Sequence, residues 1–199
     1  MPSVRNIIAP NYPVAPAQYN KKYQDQFTNV VRLYSNTVVN AVNAPKVHGS
    51  FYDTTDQTNP VASAENLMRF NTTVMAYGTK IGSPTSRVYV AETGVYNIQF
   101  SAQFDKSGGG PDSAYIWLKI NGVTVPNSAG KIVISGPNAE TIVAWNYLNI
   151  LKANDYFEIA WSSPDTTMLI LEESAAPPVP EIPSVILTVT GVSNIYIPV

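Results

Sequence analysis

The spacing of apolar residues changes character at Pro45. Before it, Tyr19, Tyr23, Phe27, Val30, Tyr34, Val38 and Ala41 recur every three or four positions, a single stripe at helical period and close to a heptad seam. Lys21, Lys22, Asp25, Gln26, Asn29, Arg32 and Asn36 fill the opposite side. Pro16 suits the first turn of a helix and Pro45 blocks continuation, so one amphipathic α-helix is predicted over residues 16–44. At 1.5 Å per residue it would be about 40 Å long. A lone helix is marginal in water and cannot cover its own stripe. Tyr19, Tyr23, Phe27, Val30, Tyr34 and Val38 are therefore expected to dock on the rest of the chain, on copies of it, or on another protein. Ahead of the helix, Pro2, Pro10 and Pro13 withdraw backbone donors, and residues 1–15 read as an extended arm.

Beyond Pro45 the period shortens to two. Short β-rich runs are predicted over residues 47–52, 67–74, 87–91, 95–104, 113–120, 131–135, 141–151, 156–161, 167–171 and 184–190, with no helix between them. Tyr96, Ile98 and Phe100 alternate with Val95, Asn97 and Gln99, and Ile116, Leu118 and Ile120 with Tyr115, Trp117 and Lys119. Asn121-Gly122 suits a type I′ hairpin turn, and Lys152-Ala-Asn-Asp155 is turn-compatible. The fold class expected is mainly β: an antiparallel β-sandwich jelly roll over residues 47–199, preceded by an extended arm and one amphipathic α-helix. Two loops interrupt the pattern. Ser107-Gly-Gly-Gly-Pro-Asp112 reads as a flexible surface tip. The proline-rich 175–183 stretch leans to polyproline II, either as a groove ligand or, more simply, as a stiff crossover.

Composition adds three constraints. Only 13% of the 199 residues are charged, against about a quarter in ordinary soluble domains, so much neutral surface needs covering and an oligomer is expected. Cysteine is absent, which excludes disulfides, thiolate metal sites and cysteine nucleophiles. Charge is unevenly placed: residues 1–46 hold five basic side chains against Asp25, the remainder seven basic against thirteen acidic. A basic front and an acidic head are expected to meet different partners, but the front is too dilute in Lys and Arg for nucleic acid. Residues 1–10 lack a signal-peptide pattern, and no apolar run approaches the roughly 18 residues that span a bilayer. A soluble chain made without export, with no membrane insertion, is expected.

Candidate chemistry is sparse. His48 is the one histidine; as a triad base it would need Asp53 or Asp56 as orienter, and no Gly-x-Ser-x-Gly elbow exists. Paired carboxylates at Asp53/Asp56, Asp105/Asp112 and Glu172/Glu173 admit a glycosidase or a calcium site by type alone, yet they read as solvated loop acids. Gly108-Gly109-Gly110 lacks the Lys-Ser/Thr of a phosphate loop. Trp117, Trp145 and Trp161 could stack sugars or bases, but each sits in a predicted strand, where core or subunit packing explains it. No catalytic residue, no metal and no cofactor is expected.

Gly94-Val-Tyr96-Asn-Ile98-Gln-Phe100-Ser-Ala-Gln-Phe104, then Ile116-Trp-Leu-Lys-Ile-Asn-Gly122, then Leu151-Lys-Ala-Asn-Asp155-Tyr-Phe-Glu-Ile159 resembles the jelly roll of the tumour-necrosis-factor and complement globular-head superfamily. The likeness covers residues 47–192 and departs from the family's Gly-x-Tyr-x-Phe at Ile98, with Phe100 following. It implies a homotrimer that binds rather than catalyses, with Tyr96, Ile98 and Phe100 in the core or on the threefold axis. Asn11-Tyr-Pro-Val-Ala-Pro16, Tyr23-Gln-Asp-Gln-Phe27 and Val31-Arg-Leu-Tyr34 resemble N-terminal segments of structural proteins of tailed, notably marine, bacteriophages. Together the two resemblances imply a virion component: a capsid decoration, head fibre or tail-fibre-like attachment protein. Residues 1–44 would anchor it to another capsid or tail protein, and the head would meet a host surface glycan or receptor. A soluble lectin-like module on the same fold is the alternative.

Overall fold

The computed structural model describes residues 9–14, 16–42 and 46–193, and the chain divides into two compact units, Met1–Pro45 and Lys46–Val199.

The first unit is built on one helix, α1 (Lys21–Val42). It begins five residues later than the Pro16 start expected, because a better cap stands downstream. The Asn20 side-chain oxygen accepts from the Tyr23 amide at 3.2 Å while its carbonyl accepts from Gln24 at 3.0 Å, closing the first turn. Tyr19 consequently lies outside the helix and is 84% exposed, so it leaves the stripe. Tyr23, Phe27, Val30, Tyr34 and Val38 are half-buried along one face, and the polar set opposite is exposed. The Ala41 side chain falls outside the description. The Tyr12 ring lies 5.6 Å from that of Phe27, which in turn stacks on Tyr23 at 6.3 Å. Lys21 and Lys22 occupy the first turn, where the helix dipole favours acids, and no base stands in the last turn.

The second unit is an antiparallel β-sandwich. Its strands are β1 (His48–Asp53), β2 (Gln57–Thr58), β3 (Asn66–Leu67), β4 (Thr72–Tyr77), β5 (Thr79–Ile81), β6 (Val88–Val90), β7 (Gly94–Lys106), β8 (Pro111–Ile120), β9 (Val123–Thr124), β10 (Gly130–Ser135), β11 (Ala139–Leu151), β12 (Tyr156–Ser162), β13 (Met168–Ile170) and β14 (Val185–Ser193). The first sheet runs β2-β13-β7-β14-β1-β4, with β11 on the other edge of β7. The second runs β10-β8-β12-β6-β5, with β3 on β12 and β9 on β8. The eight principal strands thus fall as β11-β7-β14-β1 against β10-β8-β12-β6, the interleaving of a jelly roll.

Alternation explains which residues fill it. From β7 the inner set is Tyr96, Ile98, Phe100, Ala102 and Phe104; β8 gives Ala114, Ile116 and Leu118, β12 Phe157, Ile159 and Trp161, and β14 Val185, Leu187 and Val189, all buried. Phe104 meets Trp161 edge-on at 5.4 Å, and Phe100 stacks on Tyr147 at 6.3 Å.

Turn chemistry fixes the registers. Asn121 and Gly122 have φ of 50° and 79°, as a type I′ turn requires, and the β8–β9 hairpin pairs Ile120 with Val123 around them. Two sequence expectations change. The run at 67–74 is two strands in different sheets: β3 pairs with β12, β4 with β1, and Phe70 passes through the core between them. The proline-rich stretch is a tight antiparallel loop rather than polyproline II. Ala176 and Val179 exchange backbone hydrogen bonds, as do Glu173 and Ile182, around a cis Pro177-Pro178 bond.

Candidate functional site

Three features of the sandwich could bear function. The broadest is the outer face of the first sheet. Its ladders align into three rows across five strands: Tyr77-His48-Thr190-Asn97-Leu148, Met75-Ser50-Thr188-Gln99-Asn146, and Thr72-Tyr52-Ile186-Ser101-Ala144. No Asp, Glu, Lys or Arg stands in any row. Ile142 and Ile150 extend the apolar margin on β11, at 65% and 41% exposure, beside Leu148 at 63%. Carboxylates reach this face only at one end, where Glu140 stands opposite Asp105.

The outer face of the second sheet has the opposite chemistry. Lys80, Tyr89 and Tyr156 are successive cross-strand partners from β5 through β6 to β12. The Lys80 ammonium lies 5.8 Å from the Tyr89 ring centre, the Tyr89 and Tyr156 rings are 5.3 Å apart, and the Arg87 guanidinium sits 4.5 Å over Tyr156. Arg87 Nε is 3.5 Å from the buried Glu158 carboxylate, an ion pair without an aligned hydrogen bond, and Glu158 also accepts from the Ser86 hydroxyl at 2.8 Å. Next to Tyr89, a cavity of about 400 Å³ opens between Gly78, Thr79, Lys80, Val90, Ala91 and Asn154.

The third feature is a buried cation. Lys106 occupies the last inward position of β7 with no exposed side-chain area. Its ammonium donates to the Gly110 carbonyl at 2.7 Å, pairs with Asp112, and lies 3.8 Å from Asp165. Burial pushes the Asp165 carboxyl up, but hydrogen bonds from the Thr167 amide and hydroxyl and the charge of Lys106 outweigh it, so it titrates below its usual range. Two carboxylates and a carbonyl thus surround the buried ammonium, and the cluster ties the glycine loop to the end of the sandwich.

The residues singled out in sequence are dispersed. Tyr96, Ile98 and Phe100 lie inside the sandwich, 3% exposed or less. The Tyr96 hydroxyl donates to the Glu92 carbonyl at 2.6 Å, and burial raises it to about 12. His48 faces outward and donates from Nδ1 to the Lys46 carbonyl at 2.8 Å, whereas Asp53 faces inward and caps the Thr55 amide at 2.9 Å, so the two cannot form a dyad. Asp56 accepts from the Glu172 amide. Asp105 and Asp112 part company: Asp112 serves Lys106, while Asp105 borders a small cleft with Glu140 and Glu173. Among the described residues no group of three or more acids or histidines has metal-binding geometry, and no helix is long and apolar enough to cross a membrane. Trp161 is core and Trp145 packs between the sheets, leaving Trp117 on the outer face of the second sheet. Sequence reading missed Lys80, Tyr89 and Lys106. A strict period of two carried past Phe104 places residue 106 inside, which was the available signal for Lys106.

No protein-family model matches the chain, and no curated protein matches its sequence.

Proposed function

We propose that the chain is a non-enzymatic structural protein of a tailed-phage virion, a trimeric jelly-roll head displayed on the particle and anchored through residues 1–44. The observation that carries this reading is the outer face of the first sheet: fifteen ladder positions across five strands without a formal charge on Asp, Glu, Lys or Arg. Depletion of charged side chains is the compositional mark of a subunit contact, so a second copy of the chain is the occupant proposed for this face. The other sheet keeps its cations and tyrosines outward, as a displayed face would.

The anchor reading draws on α1. Its half-buried aromatic stripe, its unfavourably placed first-turn lysines and the excess positive charge of residues 1–46 suit a helix that is completed by an acidic acceptor. The assignment to a phage particle, as capsid decoration, head fibre or attachment fibre, draws on the resemblance of residues 11–34.

Light scattering on the purified chain should give about three times 21.6 kDa, and a monomer at micromolar concentration overturns the trimer. Deleting residues 1–44 should leave a folded head that no longer joins the particle. A truncated head that still binds normally would make the head the docking surface instead.

A further inference from the structure

The cavity beside Tyr89 is formed mainly by β5, β6 and the turn before β12, on the second sheet. Three connections converge on it: the β4–β5 turn at Gly78, the segment after β6 at Ala91, and the β11–β12 turn at Asn154. All three are tied to one another through the backbone, Ala91 donating to Gly78 at 2.8 Å and Asn154 to Val90 at 2.8 Å. The walls are therefore set before any ligand arrives, and converging loops on a rigid sandwich are where binding sites concentrate.

Its lining has three distinct chemistries. The Tyr89 ring forms one wall and is held in place on two sides. Tyr156 lies 5.3 Å away, and a Cβ on Gly82 would come within 2.3 Å of the ring. The Lys80 ammonium stands at the rim, and among the described residues no carboxylate comes within 4.0 Å of it. Three other cations of the head, Arg87, Lys106 and Lys119, are paired with Glu158, Asp112 and Glu65. Asn154 is held at φ 72°, and among the described residues its side-chain amide makes no hydrogen bond.

An aromatic ring accepts the apolar face of a pyranose, an amide matches adjacent hydroxyls with one donor and one acceptor, and an ammonium at the rim with no carboxylate beside it calls for one. We propose that this cavity is a binding subsite for a carboxylated sugar, a hexuronate residue within a surface polysaccharide. The pyranose would lie against Tyr89, its carboxylate on Lys80 and its hydroxyls on Asn154. The inference deepens the reading of the head as a displayed binding domain. It differs from that reading in needing no other subunit, so the site is complete within one chain.

The test is saturation-transfer and titration NMR on the full chain with three probes: methyl β-glucuronide, methyl β-glucoside and acetate. The glucuronide should bind at roughly millimolar concentration, about tenfold more tightly than the glucoside, with its ring protons saturated and Tyr89 shifted. Acetate should shift neither. Lys80→Gln, at an exposed position, should bring the glucuronide down to the glucoside. Asn154→Gly keeps the turn's positive φ and should weaken both sugars. No glucuronide binding, equal binding of the two sugars by the native chain, or unchanged preference in Lys80→Gln overturns the site. Particle association is scored in parallel. A chain that joins its particle but ignores the glucuronide overturns this site alone, and one that binds the sugar but joins no particle overturns the virion reading instead.

Discussion

The indole of Trp145 occupies the space that a side chain on Gly130 would need. A Cβ built on Gly130 falls 1.6 Å from Cη2 of that ring and 2.1 Å from Cζ2. Trp145 comes from the inner side of β11 in the first sheet and Gly130 from the inner side of β10 in the second, so this contact closes the sandwich at the margin where the two edge strands meet.

Gly130→Ala should therefore cost at least about 1–3 kcal/mol, the range for overpacking a filled core. Urea unfolding of the single variant measures it. In a double-mutant cycle, adding Trp145→Leu should recover part of the loss. Additive costs would mean that the two residues do not share this space.

Phe100 is 3% exposed, stacked on Tyr147 and flanked by Ile98 and Ala102. Phe100→Ala should destabilise the head by roughly 3–5 kcal/mol. A change near zero in the unfolding midpoint would contradict its place in the core.

Two buried tyrosines should answer the same substitution differently. The Tyr96 hydroxyl has the Glu92 carbonyl as acceptor, whereas the Tyr147 hydroxyl is shielded and has no partner among the described residues. Tyr96→Phe should cost about 1 kcal/mol and Tyr147→Phe should be neutral or stabilising by a similar amount. Burial raises both phenols from 10.0 to about 12. Their neutral forms thus contribute stability that is complete below pH 10 and lost as the pH climbs towards 12. Thermal unfolding followed through that interval should fall more gently in Tyr147→Phe than in the native chain.

At the acid end Asp165 contributes. Its carboxyl titrates below the ordinary 3.8, so its contribution is present above that value and is lost as the pH falls through the lower folded value. Asp165→Asn should be less stable than the native chain at neutral pH, and the gap should narrow below about pH 4. A gap independent of pH would show that Asp165 acts through packing alone.

How much of this could be read from the sequence depended on the length of each regular run. The thirteen residues of β7 alternate long enough to put Tyr96, Ile98 and Phe100 on one face from sequence, and the second sheet packed over that face makes it core rather than threefold axis. Lys106 follows the same alternation, but a lysine ends a hydrophobic run for any reader who lacks its partners. Those partners, Asp112 and Asp165, come from beyond the glycine loop and from the segment before β13. Within the run at 67–74 the one turn-type residue is Asn71, too slight a local signal to mark where the chain leaves one sheet for the other. That change is made by Phe70 entering the core and by the Asn71 amide reaching the Tyr52 carbonyl at 3.1 Å.

Lys80 and Tyr89 escaped notice for a different reason. β5 and β6 have three residues each, too few for a period of two to stand out, and the pairing of residues 80 and 89 exists only once the hairpin forms. At the N-terminus two start signals competed, and the one able to satisfy a backbone amide, Asn20, prevailed over a proline that merely tolerates the position.

The neutral ladders that run from Tyr77 to Leu148 and from Met75 to Asn146 have a consequence for discrimination. Surfaces that recognise each other by charge can be steered from a distance, and they lose that guidance when salt screens it over about 10 Å. Rows of threonine, serine, asparagine and aliphatic side chains project almost no field. Whatever covers this face must be selected at contact range, by the fit of its contours and the matching of short hydrogen bonds, and that selection should be as sharp in concentrated brine as in dilute buffer.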